Sequence, residues 1–328
     1  MRTPELITTV RDAFGWDAVE ISAGPRGALG QIWRLDVGST RYALKEIFAE
    51  PPSAALIEAE LEFTRRAAEA GVRFPVGHPD RFGRHLFGPD GKWLRLYDWI
   101  DLQPLDLTAQ AVPRDLGSLL ARLHKCSSAA STEPGGGAPD PWYDTVPAFR
   151  RWTAAAESGA AWATRLADRL PTLPDVCAAV TPADPDTLII CHRDLHPENV
   201  LADPEGELVV VDWDNLGPAE PGRELARALF DWFSDPTPDF VAMGAMYEAY
   251  VGEGGPGRIT EQADFSMLIA SRLNFLLTQT RIATDQQARP RHREWAEREI
   301  DEALRILPTP GQLAHVLTLT RAGNEHPQ

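Results

Sequence analysis

The first hundred residues contain short segments in which apolar and polar side chains alternate, a period of two that is typical of β-strands. Residues 31–37 alternate in this way, and a Gly-Ser turn leads into a second such segment at residues 40–48. With the apolar run at residues 18–21, they predict a meander of three strands. Apolar side chains at helical spacing predict a short helix before it, at residues 3–14.

The same part of the chain contains two more predicted strands and a helix. The segments 84–87 and 93–97 flank a Gly-Pro-Asp-Gly turn, which favours a hairpin. Residues 53–70 have helical periodicity and are followed by Gly71, a typical helix C-cap. The pattern therefore predicts a five-stranded antiparallel sheet plus a helix, which we assign to an N-terminal lobe at residues 1–100.

The remainder, residues 101–328, is predicted to form a larger and mainly helical lobe. A hairpin is predicted within it at residues 199–213, where two apolar runs surround an Asp-Pro-Glu-Gly turn. Apolar periodicity predicts helices near residues 108–127, 237–251, 260–284, 291–306 and 309–321. The expected fold class is therefore α+β, with two lobes.

The net charge of −16 is concentrated in the second lobe. Residues 1–100 contain 13 Lys+Arg and 14 Asp+Glu, whereas the remaining residues contain 19 and 34. Nucleic acid is disfavoured as a partner, because phosphate binding requires clustered basic residues. The acidic field would attract a cationic small molecule, although acidic surfaces also serve solubility.

The sequence does not show the features of a membrane or secreted protein. It lacks a leader pattern and an apolar run of about 20 residues. Its three cysteines, Cys126, Cys177 and Cys191, are odd in number and lack the spacing of a disulfide framework or zinc site. We therefore expect a cytoplasmic protein without a membrane partner, either monomeric or weakly dimeric.

The most informative motif spans residues 192–199, His-Arg-Asp-Leu-His-Pro-Glu-Asn, and is followed by a second acidic sequence. Asp194 precedes Asn199 by five positions, and Asp212 follows an apolar run. Phosphoryl transfer needs one carboxylate to accept the proton of a hydroxyl and two oxygen ligands to hold Mg²⁺. The predicted hairpin would bring Asn199 back beside Asp212, which makes the three groups a strong candidate site.

Lys45 is one of only three lysines in the chain, and it lies on a predicted strand between two apolar neighbours of the same face. Burying such a lysine is costly unless an anion meets it. With Ala43 it forms the x-Ala-x-Lys pattern of strands that bind nucleotide phosphates. Glu60 lies on the inward stripe of the following helix and is the predicted ion-pair partner of Lys45.

Two further segments are candidates for nucleotide binding. Glycines at residues 24–30, including Gly27, would let backbone N–H groups approach phosphates, although glycines between strands also form ordinary turns. Residues 97–101, with Asp98 and Ile100, are the predicted hinge between lobes, where backbone groups can read an adenine edge.

These residues, with the Leu-Gly-x-x-Leu-x-x-Leu-His helix ending at His124, resemble the aminoglycoside phosphotransferase and choline kinase family of small-molecule kinases. The resemblance covers about residues 18–285. It implies a protein-kinase-like fold and the use of ATP or GTP with Mg²⁺. It also implies that Asp194 is the catalytic base, that Asn199 and Asp212 are metal ligands and that Lys45 binds phosphate.

One position departs from the family pattern. Arg193 occupies a position where antibiotic kinases commonly have Gly, and Glu224 is a candidate partner for it. We interpret His124 as a packing residue, because no partner is evident near it. A protein kinase would need an activation segment after Asp212, and only residues 215–223 precede the next predicted helix. This spacing favours a small-molecule kinase.

The expected substrate is cationic or sugar-containing, such as an aminoglycoside-like or nucleoside antibiotic. Four residues are candidates to line the acceptor cleft, as carboxylates for ammonium groups or as a stacking aromatic: Asp231, Trp232, Asp235 and Glu248. A solvated acidic face is the alternative interpretation of these residues. A metabolic kinase for choline, homoserine or another alcohol, and a nucleotide-binding pseudokinase, are the alternative functions.

Overall fold

The computed structural model describes residues 3–26, 30–48, 50–89, 91–130 and 137–325. Its α+β architecture confirms the predicted fold class, with one five-stranded antiparallel sheet followed by a mainly helical part. The predicted Gly27 lies outside the described residues.

The sheet has the strand order β1-β2-β3-β5-β4. Its strands are β1 (Glu20–Arg26), β2 (Gly30–Val37), β3 (Thr40–Ile47), β4 (Gly77–His78) and β5 (Trp93–Asp98). The three-stranded meander is confirmed, and every neighbouring pair is antiparallel.

The sequence predicted a strand at residues 84–87, and this prediction is wrong. Only Phe87 contacts β5 there, through an isolated bridge to Leu94, and β4 takes the edge instead. The physical reason is Asp80, whose carboxylate accepts hydrogen bonds from the N–H groups of Phe82 and Arg84, both at 2.9 Å. A side chain that binds nearby backbone donors competes with strand pairing.

Two helices of the first hundred residues belong to different cores. Helix α1 (Thr3–Phe14) covers the sheet, where Leu6 and Val10 join a cluster with Leu44 of β3. Helix α2 (Ala54–Glu69) begins after Ser53, whose hydroxyl accepts from the N–H of Leu56.

Helix α2 buries its apolar stripe in the large core of the helical part rather than against the sheet. Ala59, Phe63 and Ala67 are buried in that cluster. The Phe63 ring lies 5.7 Å from the ring of Trp213. Helix α2 is therefore packed against the part of the chain that contains the motif residues.

The helical part is built around a central group of long helices. Helices α3 to α7 are Val112–Lys125, Pro141–Asp144, Phe149–Ala156, Ala163–Arg169 and Leu173–Cys177. Helices α8 to α12 are Pro221–Phe233, Phe240–Gly252, Ser266–Thr284, Pro290–Ile306 and Pro310–Glu325. Helix α3 packs along α9, and α10 packs on α8 and α11. Gly117 permits the close approach of α3 to α9, because a Cβ there would overlap the carbonyl oxygen of Met246.

Four short strands frame the motif. Strand β6 (Ile189–Cys191) pairs with β9 (Gly217–Ala219), and β7 (Val200–Ala202) pairs with β8 (Leu208–Val210). The predicted hairpin is thus confirmed. We call residues 192–199, between β6 and β7, the catalytic loop, after the role that the sequence predicts for Asp194, and residues 212–214, between β8 and β9, the acidic segment.

The turn from the acidic segment to α8 is short, as the sequence predicted. Only β9 and a few flanking residues separate Asn215 from Pro221. Of the helices in the described ranges, none has the length and apolar character required to cross a membrane.

We predict that Phe63→Ala lowers the free energy of unfolding by about 3–5 kcal/mol, because it leaves a cavity where α2 meets the helical part. Phe63 is 1% exposed, whereas Phe48, at 44%, is the matched surface control. Phe48→Ala is expected to change stability by about 0.5 kcal/mol or less. Urea denaturation followed by fluorescence and circular dichroism would measure both, and equal losses in the two variants would contradict the packing assignment.

Candidate active site

The hairpin brings the catalytic loop and the acidic segment together. The N–H of Val211 donates to the carbonyl oxygen of Asn199 at 2.9 Å, immediately before Asp212. The amide of Asn199 donates in turn to the backbone carbonyl of Asp194 at 2.9 Å and to its Oδ2 at 3.3 Å. Asp194, Asn199 and Asp212 therefore lie beside one another.

The Asp194 carboxylate is held by three donors from different segments. Arg227 of α8 donates to its Oδ1 at 2.6 Å, while Asn215 and Asn199 donate to its Oδ2. Its Oδ2 also lies 3.6 Å from Nε2 of His196. Such a set of contacts fixes the rotamer of the carboxylate.

The same contacts keep Asp194 ionised. Burial would raise its pKa, but the contact with His196 and the charge of Arg227 outweigh burial and hold the pKa of the carboxyl well below its usual range. Asp194 is therefore available as a hydrogen-bond acceptor, the form required to receive a hydroxyl proton.

Arg227 organises both the carboxylate and the backbone of the catalytic loop. Its guanidinium donates to Asp194, to the carbonyl oxygen of Arg193 and, through Nε at 3.0 Å, to Asp231. Arg272 donates to the other oxygen of Asp231 at 2.8 Å. Asp231 therefore holds two arginines and is not free to bind a substrate ammonium group.

Arg193 adopts a left-handed backbone conformation, with φ of 65°. Its N–H donates to the buried carboxylate of Glu224, and its guanidinium instead donates to the carbonyl oxygen of Asn215 at 2.6 Å. The expected contact with Glu224 is thus made by the backbone and not by the side chain. The guanidinium also lies over the ring of Tyr143, 4.6 Å from its centroid.

His124 has two polar partners, contrary to the expectation that none was near. Its Nε2 lies 2.6 Å from Glu224, and its Nδ1 lies 2.7 Å from the hydroxyl of Tyr250. All three are buried, and Glu224 also receives the N–H of Arg193. His124 therefore supports the catalytic loop through its contact with Glu224, which agrees with a structural role.

His192 also has a structural environment. Its Nε2 lies 3.3 Å from the carbonyl oxygen of Val211, and its ring lies 4.8 Å from Trp213. Burial lowers the pKa of the imidazole. The contacts with Val211 and Trp213 tie the catalytic loop to the acidic segment.

Lys45 meets the acidic segment. Its Nζ lies 2.7 Å from Oδ1 of Asp212 and 2.7 Å from Oδ2 of Asp214. Burial would lower the pKa of the ammonium group, but the two carboxylates outweigh burial and raise it. Lys45 is therefore a cation next to the predicted metal ligand Asp212, which has a left-handed φ of 60°.

Glu60 points inward, as predicted, but its partner is Arg95 and not Lys45. The Glu60 carboxylate accepts two hydrogen bonds from the Arg95 guanidinium, at 2.7 and 2.8 Å. The planar guanidinium matches both carboxylate oxygens at once, which an ammonium group cannot do. This geometry explains why Glu60 takes the arginine of β5 rather than the lysine of β3.

The other predicted nucleotide-binding residues lie on the inner strands β3 and β5 or shortly after β5. Ala43 shares the face of Lys45 on β3, opposite Tyr97. Asp98 ends β5, where its side chain lies 2.7 Å from Nε2 of His78. Ile100 follows it, and within the described ranges its N–H has no hydrogen-bond partner.

The predicted acceptor residues do not come together to form one subsite that could bind a cation. Trp232 is only 4% exposed and donates its indole N–H to the carbonyl oxygen of Leu195 at 2.9 Å, so it supports the catalytic loop. Asp235 pairs with Arg305 at 3.2 Å. Glu248 also lies away from the acceptor cleft in which the sequence placed it.

Glu248 lies on a surface groove between α9 and α12. Its carboxylate is 3.8 Å from Arg114, and the groove is also lined by Phe240 and His315. Among the described residues, none of those that line this groove belongs to the catalytic loop. Glu248 therefore lies in a groove that is separate from the catalytic loop.

Three site residues were missed by the sequence interpretation: Arg95, Asn215 and Arg227. Arg227 could have been recognised, because it shares one helical stripe with Glu224 and Asp231 at intervals of three and four. Asn215 and Arg95 reach the site through tertiary contacts alone, so no local pattern indicated them.

Comparison with known proteins assigns the family. A model described as the phosphotransferase enzyme family matches residues 20–261. No curated protein sequence matches the chain.

Several solved structures share the fold. A spectinomycin phosphotransferase in complex with ADP and spectinomycin has a TM-score of 0.67 and 16% identity, and the match covers 99% of both chains. An amicoumacin kinase in complex with AMP-PNP, Ca²⁺ and its ligand has a TM-score of 0.58 and 14% identity, over 96% of this chain and 97% of the other. A microcompartment-associated aminopropanol kinase has a TM-score of 0.59 and 20% identity, over 97% of both chains.

These likenesses agree with the architecture described above, and the family match extends from β1 through the motif to the residues after α9. The predicted family and the predicted enzyme class, a phosphotransferase, are confirmed. The chain belongs to the phosphotransferase enzyme family.

Proposed function

We propose that this protein transfers the γ-phosphoryl group of ATP or GTP to a hydroxyl group of a small molecule, with Mg²⁺ as the metal ion. The observation that carries the proposal is the convergence of Asp194, Asn199 and Asp212 with the Lys45 ammonium group. These groups are the ones that phosphoryl transfer requires: a proton acceptor, two oxygen ligands and a phosphate-binding cation.

The donor set fits a hard cation. Asn199 and Asp212 offer amide and carboxylate oxygens, the ligands that Mg²⁺ prefers. Burial would raise the pKa of Asp212, but the charge of Lys45 outweighs it and lowers that pKa, so the carboxylate is ionised. When bound, Mg²⁺ would neutralise charge on the nucleotide phosphates.

Asp194 would hold the acceptor. An ionised carboxylate with a fixed rotamer can accept the hydrogen bond of a hydroxyl group and orient its oxygen toward the phosphoryl group. Arg227 and Asn215 would keep that orientation, because they bind the two oxygens of Asp194 from opposite segments. In a loose transition state, positioning of this kind contributes more than proton abstraction.

Lys45 and its neighbours on and after the inner strands β3 and β5 would hold the nucleotide. Lys45 would exchange its carboxylate partners for phosphate oxygens and stabilise the charge that develops in transfer. Ala43 would leave room beside Lys45 for the base. The N–H of Ile100 would be available to the edge of a purine, whereas that of Asp98 donates to the carbonyl oxygen of Val76 at 2.9 Å. In this division of labour, residues 1–100 bind the nucleotide and residues 101–328 carry the catalytic and acceptor-binding groups.

We propose an antibiotic of the amino-sugar or nucleoside type as the acceptor. Support comes from the acidity of residues 101–328 and from the spectinomycin and amicoumacin named for two proteins of this fold. The aminopropanol kinase of the same fold supports the second candidate, a small amino alcohol. Because Asp231 is already paired with two arginines, we expect other groups to bind the substrate amine.

An acceptor screen tests the proposal. The protein would be incubated with Mg²⁺, ATP or GTP, and a panel containing spectinomycin, amicoumacin, nucleoside antibiotics, aminopropanol, choline and homoserine. Mass spectrometry of the acceptor and release of nucleoside diphosphate would report transfer. A phosphorylated antibiotic supports the first candidate and a phosphorylated amino alcohol the second. Nucleotide binding without turnover over the whole panel would instead support a regulatory pseudokinase.

We predict that Asp194→Asn lowers kcat by about 10²–10⁴-fold, because a neutral amide loses the charged contact with Arg227 that orients it and cannot accept the hydroxyl proton. Circular dichroism would check the fold. The matched control is Asp301→Asn, which removes an exposed carboxylate paired with Arg165 and is expected to keep wild-type kcat. Near wild-type turnover in Asp194→Asn would contradict the assigned role.

We also predict that Arg227→Met lowers kcat by about 10–100-fold while leaving the KM for the nucleotide nearly unchanged, because it removes the donor that orients Asp194. Arg227→Lys should recover part of the loss, since the charge remains but the three-way contact does not. Steady-state kinetics of both variants would measure the difference. A rise in KM for the nucleotide with unchanged kcat would show that Arg227 does not position Asp194.

A further inference from the structure

Arg95 and Lys45 are two cations that face each other on the sheet beside the acidic segment. They are direct cross-strand partners in the register of β5 and β3, so their side chains project from the same face. The side chain of Arg95 is 2% exposed and that of Lys45 is 14% exposed. Both therefore require anionic partners, because an unpaired charge is costly to bury.

Arg95 contacts two carboxylates on different elements. It donates two hydrogen bonds to Glu60 of α2, at 2.7 and 2.8 Å. Its Nη1 also lies 3.7 Å from Oδ1 of Asp214 in the acidic segment. The guanidinium lies over the ring of Tyr97, 5.2 Å from the centroid, which limits its freedom further.

Asp214 is shared between the two cations. Its Oδ2 lies 2.7 Å from Nζ of Lys45, and its Oδ1 faces Arg95. Lys45 in turn contacts Asp212, the proposed metal ligand. The order of charges is thus Asp212, Lys45, Asp214, Arg95 and Glu60, with alternating sign throughout.

We infer that Arg95 is a positioning residue of the nucleotide site, an inference that rests on the proposed function. When Lys45 turns to phosphate oxygens and Asp212 to Mg²⁺, Asp214 loses its nearer cation. Arg95 is then the cation that keeps Asp214, and with it the acidic segment, in place. Arg95 would hold Asp214 while it remains bound to Glu60 of α2. Lys45 would therefore exchange its carboxylate partners for phosphate oxygens without a movement of α2.

A purely structural role for Arg95 makes a different prediction. If Arg95 only neutralised Glu60, then Arg95→Met and Glu60→Gln would have the same effect on stability and on nucleotide affinity. If Arg95 positions Asp214, its removal weakens nucleotide binding more than the removal of Glu60 does. The two roles are therefore separated by comparing affinity with stability.

The experiment is a double-mutant cycle on nucleotide affinity, which needs no identified acceptor. Isothermal titration calorimetry would measure the Kd of ADP and of GDP with Mg²⁺ for the full chain. We expect Arg95→Met and Asp214→Asn each to weaken the better-bound nucleotide by about tenfold. The double variant should bind the nucleotide about as weakly as either single variant, because both changes remove the same interaction, the one between Arg95 and Asp214.

Two controls accompany the cycle. Glu60→Gln should lower Tm as Arg95→Met does, but should weaken nucleotide binding less, by about threefold, because it loosens the anchor on α2 while Asp214 keeps its contact with Arg95. Arg84→Met removes another arginine of the same part of the chain, which binds Asp80 through two hydrogen bonds away from Lys45. It should leave the Kd unchanged.

Arg95→Lys serves if Arg95→Met does not fold, since it retains the charge but cannot contact Glu60 and Asp214 together. We expect its Kd to be intermediate, and its effect to disappear in the Asp214→Asn background. Additive effects of the two positions, or a Kd of Arg95→Met within about twofold of wild type, would overturn the inference alone. Failure of the wild-type protein to bind any of these nucleotides would overturn the proposed function as well.

Discussion

The pairing of buried charges is the constraint on which the cleft depends. Lys45 and Arg95 project from the same face of the sheet, and each would be costly to bury alone. The carboxylates that neutralise them come from both sides, Glu60 from α2 and Asp214 from the acidic segment. The electrostatic requirement of two strand residues therefore also determines how the sheet, α2 and the motif are joined.

A similar arrangement holds the carboxylate of Asp194, the proposed catalytic residue. Helix α8 contributes a buried stripe in which Glu224 accepts the N–H of Arg193 and Arg227 binds Asp194. Behind it, His124 completes the pairing of Glu224. The left-handed backbone of Arg193 is held by these contacts, so one helix supports a strained loop next to the proposed catalytic carboxylate.

The two charge networks lie close together, because Asn215, the neighbour of Asp214, donates to Asp194, and their composition bears on specificity. Asp231, a partner of the same Arg227 that binds Asp194, is already paired with two arginines. The negative charge of this part of the chain therefore does not by itself constitute a binding site for an amine. Local pairing decides whether an acidic side chain is available to a ligand, and net charge does not.

Local patterns in the sequence determined the helices, the three-stranded meander and the hairpin that closes Asn199 onto Asp212, because periodicity and turn residues act over a few positions. The spacing of Asp194, Asn199 and Asp212 likewise carried the phosphotransferase prediction. Only the tertiary structure decided that Glu60 binds Arg95, that Trp232 is buried and that Arg227 holds the carboxylate of Asp194. The physical reason is that the choice between Lys45 and Arg95 depends on guanidinium geometry and burial across segments that are distant in the chain, which no local spacing records.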